Sequence, residues 1–234
     1  KDKNKMTITQ FYRISGVGML IGGIAFVIHL VLRSLVTAGL DPATVAQQSL
    51  WAPINFLGVV GAALMLLGLP VLYAKLAGAT GCPGWPRAGL NGLAWMFFGL
   101  FLSLYSLLVA PWLADQAPAL AAAPLPAGIL ITYITALVAE VVGSVLLAIP
   151  FLRGRVQPRW VGYLLPGAAI LTVLGNLIAP TGPASNLSIN LLSNLGPMLF
   201  MGTLACLGYW LGAVDASARK AEQRDAREKV AGSL

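Results

Sequence analysis

Charge is what this sequence lacks most. Charged residues make up 10% of its 234 positions against 58% hydrophobic ones, and the mean hydropathy is +0.81. A water-soluble domain of this length needs far more charge on its surface. Histidine occurs once, at His29, so a bis-histidine haem held within the chain is excluded; only single ligation of a pigment or haem is open to it. The two cysteines, Cys82 in a connecting stretch and Cys206 in an apolar run, form no CxxC and join no His/Cys cluster. Neither a disulfide framework nor a metal site is expected. There is no G-x-S-x-G, no P-loop, no HExxH and no paired carboxylate inside an apolar run. A triad would need His29, Glu140 and a nucleophile such as Ser103 or Ser106, but no motif orders them. No catalytic residue is therefore assigned, and the expectation leans away from an enzyme. A channel is disfavoured too, because one half of each span lacks a polar lining and no ring of acids or carbonyl filter motif occurs.

What is abundant is long apolar runs. Six are present, at about 13–37, 52–76, 88–112, 127–152, 159–179 and 189–213. Each is long enough to cross about 30 Å of hydrocarbon as a helix. Barrel strands would be shorter and would alternate in polarity. The expected fold class is all-α: a polytopic integral membrane bundle of six transmembrane helices over residues 1–213, followed by a polar helical tail at 214–234. The opening KDKNKM resembles the n-region of a signal peptide, but the apolar run is longer than a signal h-region and no small-residue cleavage site closes it, so the first span is read as a retained helix.

The net charge of +7 is a topological signal, so no nucleic-acid partner is expected. Of fifteen Lys and Arg, all but Arg33 fall on one side of the six-span arrangement. The positive-inside rule then puts both termini in the cytoplasm. The localisation expected is an integral protein of a bacterial cytoplasmic membrane. Trp51 and Trp112 fall at the outer boundary, and Trp85, Trp160 and Trp210 at or near the inner one, as in an aromatic belt. Trp95 lies deeper and is expected to pack between helices. In the first outer loop, Asp41-Pro42 reads as an N-cap followed by Pro at N1, the start of a short helix. The second outer loop, rich in Pro and Ala, is expected to be irregular. The third carries Asn186-Leu-Ser188, a glycosylation sequon by pattern. In the tail, Asp215/Arg219 and Asp225/Lys229 are favourable i,i+4 pairs.

Shared landmarks suggest an internal repeat. Arg13-Ile-Ser-Gly16, Arg87-Ala-Gly89 and Arg159-Trp-Val-Gly162 open the odd-numbered spans alike. LLVAP at 107–111 answers NLIAP at 176–180, and Pro70 matches Pro150. The reading is three tandem helical hairpins; the plainer alternative is that membrane helices share such residues anyway.

The most informative pattern is the depth of the polar residues. At about 1.5 Å per residue, Glu140 lies roughly 20 Å from the cytoplasmic end of its helix. By the same measure His29, Ser103, Tyr105 and Asn176 lie at about 24–27 Å, and Arg33, Asn55 and Asn194 at about 30 Å. All six spans offer a polar group to the middle or outer half. An ionisable group facing lipid at a helix centre costs about 2.5–3.5 kcal/mol, so Glu140 should face the bundle or a cavity. The expectation is a pocket open to the outside, with Glu140 as its floor and charge or proton site. His29 and Arg33, four apart on one helix face, would form one wall; the plainer alternatives are a hydrogen-bonding packing role for His29, snorkelling of Arg33 to the outer headgroups, and helix-to-helix hydrogen bonding for the Asn residues. Tyr105, Asn176 and Asn194 would surround it, with Asn55 at a similar depth. Glu140 would be neutral when alone in a dry interior and ionised beside Arg33 or protonated His29.

Two functions follow from different classes. One is a transporter-like protein binding a small polar or amphipathic ligand from the outer side. The other is a non-catalytic accessory or scaffold subunit of a larger membrane complex, with partner membrane subunits and contact to a pigment or lipid. The lipid bilayer is a partner in both, and no cofactor is specified.

Overall fold

The computed structural model describes residues 8–78, 85–116, 127–154, 156, 158–178 and 186–231. Cys82 and most of the Pro/Ala-rich loop lie outside them. The chain forms α1 (Ile8–Thr37), α2 (Pro42–Ala46), α3 (Trp51–Gly78), α4 (Trp85–Gln116), α5 (Ala127–Leu152), α6 (Trp160–Ile178) and α7 (Leu187–Ala231). No strand occurs among the described residues. All helices except α2 include a segment long and apolar enough to cross a membrane, six in total. This is the architecture of an integral membrane protein.

Local chemistry sets the helix ends. The Asp41 carboxylate accepts the Thr44 backbone N–H at 3.0 Å and caps α2 as its sequence implied. Asn186 caps α7 in the same way, accepting the Ile189 N–H at 3.0 Å. α1 and α5 are followed by Gly39 and Gly154 at φ 71° and 67°, the left-handed conformation that stops a helix at little steric cost.

The six long helices close into a ring. Each packs against the next in sequence, and α7 returns to pack against α1. The short α2 touches both α1 and α4. Neighbours run antiparallel, and glycine brings their backbones together. A Cβ on Gly22 would stand 2.7 Å from the Gly61 carbonyl oxygen of α3. One on Gly92 would stand 2.5 Å from the Leu147 nitrogen of α5, and one on Gly175 would stand 2.5 Å from the Ser193 carbonyl oxygen of α7. The α7/α1 seam is equally tight, with a Gly208 Cβ 2.6 Å from the Gly16 carbonyl oxygen. In a bilayer lipid tails are as apolar as leucine, so close backbone packing of this kind, more than water exclusion, holds helices together.

Residues seven apart fall on nearly the same helix face, which makes the inner wall of the ring readable. On α1, Ile14, Ile21, Ile28 and Leu35 are exposed and face away from the ring. Met19 and Phe26 are buried on the opposite face, and Arg33 is the next step of their stripe. On α3 the corresponding buried stripe is Leu72, Met65 and Gly58, reaching Trp51, and on α4 it is Met96, reaching Ser103. On α5 it is Leu147, Glu140, Tyr133; on α6, Ala169, Asn176; on α7, Leu211, Leu204, Pro197 and Asn190, the last bonded to Thr37 in the α7/α1 seam. Every one of these stripes is apolar towards the end where α1 begins, here the near end. There Met19, Met65, Leu72, Met96, Leu147, Leu204 and Leu211 form a dry core. Every one reaches a polar or amphipathic side chain towards the far end.

Glycine at the α4/α5 seam therefore carries much of the packing. Gly92→Val should lower stability in detergent by about 1–3 kcal/mol, because its neighbours are backbone atoms that cannot give way. Gly202, with nothing within 4 Å of a built Cβ, should accept Ala without loss. Thermal unfolding of the two variants checks this.

Candidate functional site

The polar ends of the stripes form the candidate site, beginning with Glu140. It is partly buried on α5, and Ser103 Oγ of α4 donates to its Oε1 at 2.7 Å. Gly99 makes room for it: a Cβ there would lie 2.7 Å from Glu140 Cγ. The other carboxylate oxygen, Oε2, has no partner among the described residues. The only buried, unpartnered side-chain polar atom among them is His29 Nε2, so Oε2 of Glu140 is open to its surroundings, not sealed.

Arg33 is exposed although it extends the buried Met19–Phe26 stripe. The guanidinium lies over the Trp51 ring of α3, Cζ 5.8 Å from the centroid, within cation–π range. No acidic residue pairs with it among the described residues. Tyr133 of α5 falls within electrostatic range of Arg33, although α1 and α5 are not neighbours in the ring. Tyr133 is 44% exposed despite sitting seven residues from Glu140 on the inward stripe, and its hydroxyl donates to Asn176 Oδ1 of α6 at 2.9 Å. The Asn176 amide in turn donates to the Thr172 carbonyl at 2.9 Å. Arg33, Trp51, Tyr133 and Asn176 thus bring four helices to one level at the far end. Glu140 and Ser103 lie one level deeper, about 10 Å along the axis by the seven-residue step from Tyr133.

The other candidates from the sequence go elsewhere. His29 is fully buried in the α1/α3 seam, where Nδ1 donates to the Ile54 carbonyl at 2.7 Å and Phe26 packs edge-on at 5.4 Å. It shares a helix side with Arg33 but is turned against α3. Asn55 is buried and returns its amide to the Trp51 carbonyl at 2.8 Å, one turn back in its own helix. Asn194 belongs to the α7/α1 seam, donating to Ser34 Oγ at 3.0 Å and to the Asn190 carbonyl at 2.9 Å. Beside it Asn190 donates to Thr37 Oγ1 at 3.1 Å. Tyr105 is 50% exposed on the outward side of α4, on one stripe with Phe98, Phe101 and Trp112. Trp95 likewise faces outward, edge-on to Phe98 at 6.4 Å, and does not pack between helices.

The sequence thus supplied Glu140, Arg33 and Asn176 as candidates but not Trp51, Tyr133 or Ser103 as lining residues. Their signal was available: Tyr133 is seven before Glu140, Trp51 seven before Gly58 and Ser103 seven after Met96. No known protein family, curated protein or solved structure matches the chain.

The packing of His29 gives a compensation test. The three atoms nearest a Cβ on Gly58 would all belong to the His29 ring, the closest at 2.9 Å. Gly58→Ala should therefore destabilise the native chain by about 1–3 kcal/mol. In a His29→Ala background it should cost little. A double-mutant cycle on thermal stability measures the difference.

Proposed function

We propose that this chain is a membrane-embedded binding protein that takes a small polar or amphipathic ligand into the far half of its ring, with Glu140 as the charge or proton site. The observation that carries this reading is the accessibility of Arg33, Tyr133 and Asn176 on helix faces that elsewhere form the buried core. Polar groups this far into a membrane are functional by default when they face a common space and pair incompletely. Glu140 and Arg33 both pair incompletely among the described residues. The dry core at the near end supports binding over conduction, since the lining does not continue through it. By the distribution of Lys and Arg, the far end is the outer side, and transport would require that core to rearrange. In this reading Arg33, Tyr133 and Asn176 contact the ligand, and Glu140 with Ser103 forms the floor. His29, Asn55 and Asn194 hold the surrounding seams, and Tyr105 lies outside the pocket. Repeated polar levels on successive hairpins accord with a duplicated ancestral hairpin.

One observation favours the accessory-subunit reading. α7 runs without a break from Leu187 to Ala231, well beyond its apolar stretch, and offers a long polar helix to a partner.

Two measurements separate the readings. Gentle purification of wild type and Glu140→Gln, followed by native mass spectrometry and an absorption scan, should find a small molecule on the wild type that a folded variant lacks. Companion subunits or a pigment retained equally by both would favour the accessory role. In a chain with Cys82 and Cys206 replaced, Asn176→Cys should react with a membrane-impermeant thiol reagent in intact cells, whereas Met96→Cys should not.

A further inference from the structure

The near end carries a separate feature at the turn from α5 to α6. Three of the seven residues from Arg153 to Arg159 are arginine, and no acidic residue occurs between 141 and 214. Glycine contacts in two seams fix the level of this charge. A Cβ on Gly89 of α4 would stand 2.9 Å from Pro150 Cγ of α5, and one on Gly162 of α6 would stand 2.7 Å from the Leu152 nitrogen. Arg87, Arg153 and Arg159 each lie within three residues of these contacts, and all three are exposed. The helices α4, α5 and α6 thus bring a basic side chain to one level, within about 5 Å along the axis.

Positive charge at this end is a property of the whole bundle; the seat of Arg159 is not. Gly154 adopts φ 67°, and a Cβ on it would lie 2.7 Å from Arg159 Nη2, 2.9 Å from Nε and 3.0 Å from Cζ. The guanidinium therefore rests against bare Gly154 backbone, in a place that any other side chain would take. It makes no hydrogen bond or ion pair among the described residues. A seated guanidinium with its donors unused suits a phosphate, which accepts two of them at once.

The neighbouring face of α6 suits an acyl chain. Trp160 is 39% exposed, where an indole sits at the level of lipid headgroups. Tyr163, Gly167, Ile170 and Leu174 continue the same outward face at steps of three and four residues. Tyr163, Ile170 and Leu174 are exposed, whereas Gly167 has nothing within 4 Å of a built Cβ. The glycine leaves a notch among large side chains, leading into the membrane from the level of Arg159.

We propose that the α5–α6 turn holds an anionic phospholipid of the surrounding leaflet. Its phosphate lies on Arg159, Arg153 and Arg87 add positive charge beside it, and an acyl chain lies against Trp160, Tyr163 and the Gly167 notch. A zwitterionic lipid brings its own ammonium to this cluster, so a headgroup of net negative charge is favoured.

The full chain is delipidated in detergent and titrated with dioleoyl phosphatidylglycerol or dioleoyl phosphatidylcholine, and bound lipid is counted by native mass spectrometry. Phosphatidylglycerol should bind at least about fivefold more tightly, the worth of one basic group beside an anionic surface. Arg159→Gln should abolish that preference. Arg13→Gln, which removes an exposed arginine at the same end of α1, should keep it. Gly154→Asn retains every charge and tolerates the left-handed backbone, yet its side chain takes the seat of Arg159. It should weaken phosphatidylglycerol as much as Arg159→Gln does. Equal binding of the two lipids by the wild type would overturn the proposal, and this comparison needs no variant to fold. Equal losses in Arg13→Gln and Arg159→Gln would also overturn it, by reducing the site to diffuse charge. Release of phosphatidylglycerol by millimolar glycerol 1-phosphate would assign the arginine to a soluble phosphate and overturn the lipid.

Discussion

Everything polar in this structure depends on the ring being closed. The hydrocarbon of a bilayer offers no partner for a carboxylate, so Glu140 must lie against another helix or in a space walled off from lipid; Arg33, about 30 Å up its helix, is also within reach of the headgroups. That wall has no stronger point than its glycines. Gly16 against Gly208 brings the last helix back onto the first, and Gly22 against Gly61 and Gly92 against Gly143 hold the first two hairpins. Larger residues there would push helices apart and expose the inward stripes. Backbone contact at the seams and charge in the lumen are therefore two parts of one solution.

The seams also take up polar side chains that would otherwise be free. His29 fills the hollow left by Gly58 and donates to the Ile54 carbonyl; Asn190 and Asn194 tie α7 to Ser34 and Thr37. These groups lie near the same depth as the lining residues, yet their hydrogen bonds are spent between helices. What distinguishes Arg33 from His29 is a rotation of about 40° around α1, four residues at 100° each less a full turn. That small angle separates a group facing a neighbouring helix from one facing the lumen.

The same angle explains what the sequence could and could not reveal. The spans were legible: runs expected at 127–152 and 159–179 became Ala127–Leu152 and Trp160–Ile178, because a 20-residue apolar stretch has no other stable form in lipid, whereas the helices around 13–37 and 88–112 extend to Ile8–Thr37 and Trp85–Gln116 and the last continues through the tail to Ala231. The cap at Asp41 was equally legible, being a local interaction. Depth was legible too, since it needs only a count along one helix. Rotation was not: it depends on which glycine meets which neighbour, and single-helix hydrophobicity hides the inward side when both sides are apolar. Tyr105 and Tyr133 show the consequence. Both sit in the far half of their helices, yet only Tyr133 shares a stripe with the buried Leu147, and only it reaches Asn176.

The dry core at the near end is also an electrical insulator. On the binding reading, the far half is a wet polar vestibule that, in a membrane carrying a voltage, holds nearly the potential of the solution it opens to. The drop is then concentrated across the stretch packed with Met19, Met65, Met96, Leu147 and Leu204. Moving a unit charge through the full field is worth about 2.3 kcal/mol per 100 mV. A charge that stops at Glu140 crosses little of that field, so occupancy of the far half would respond to concentration and hardly to voltage.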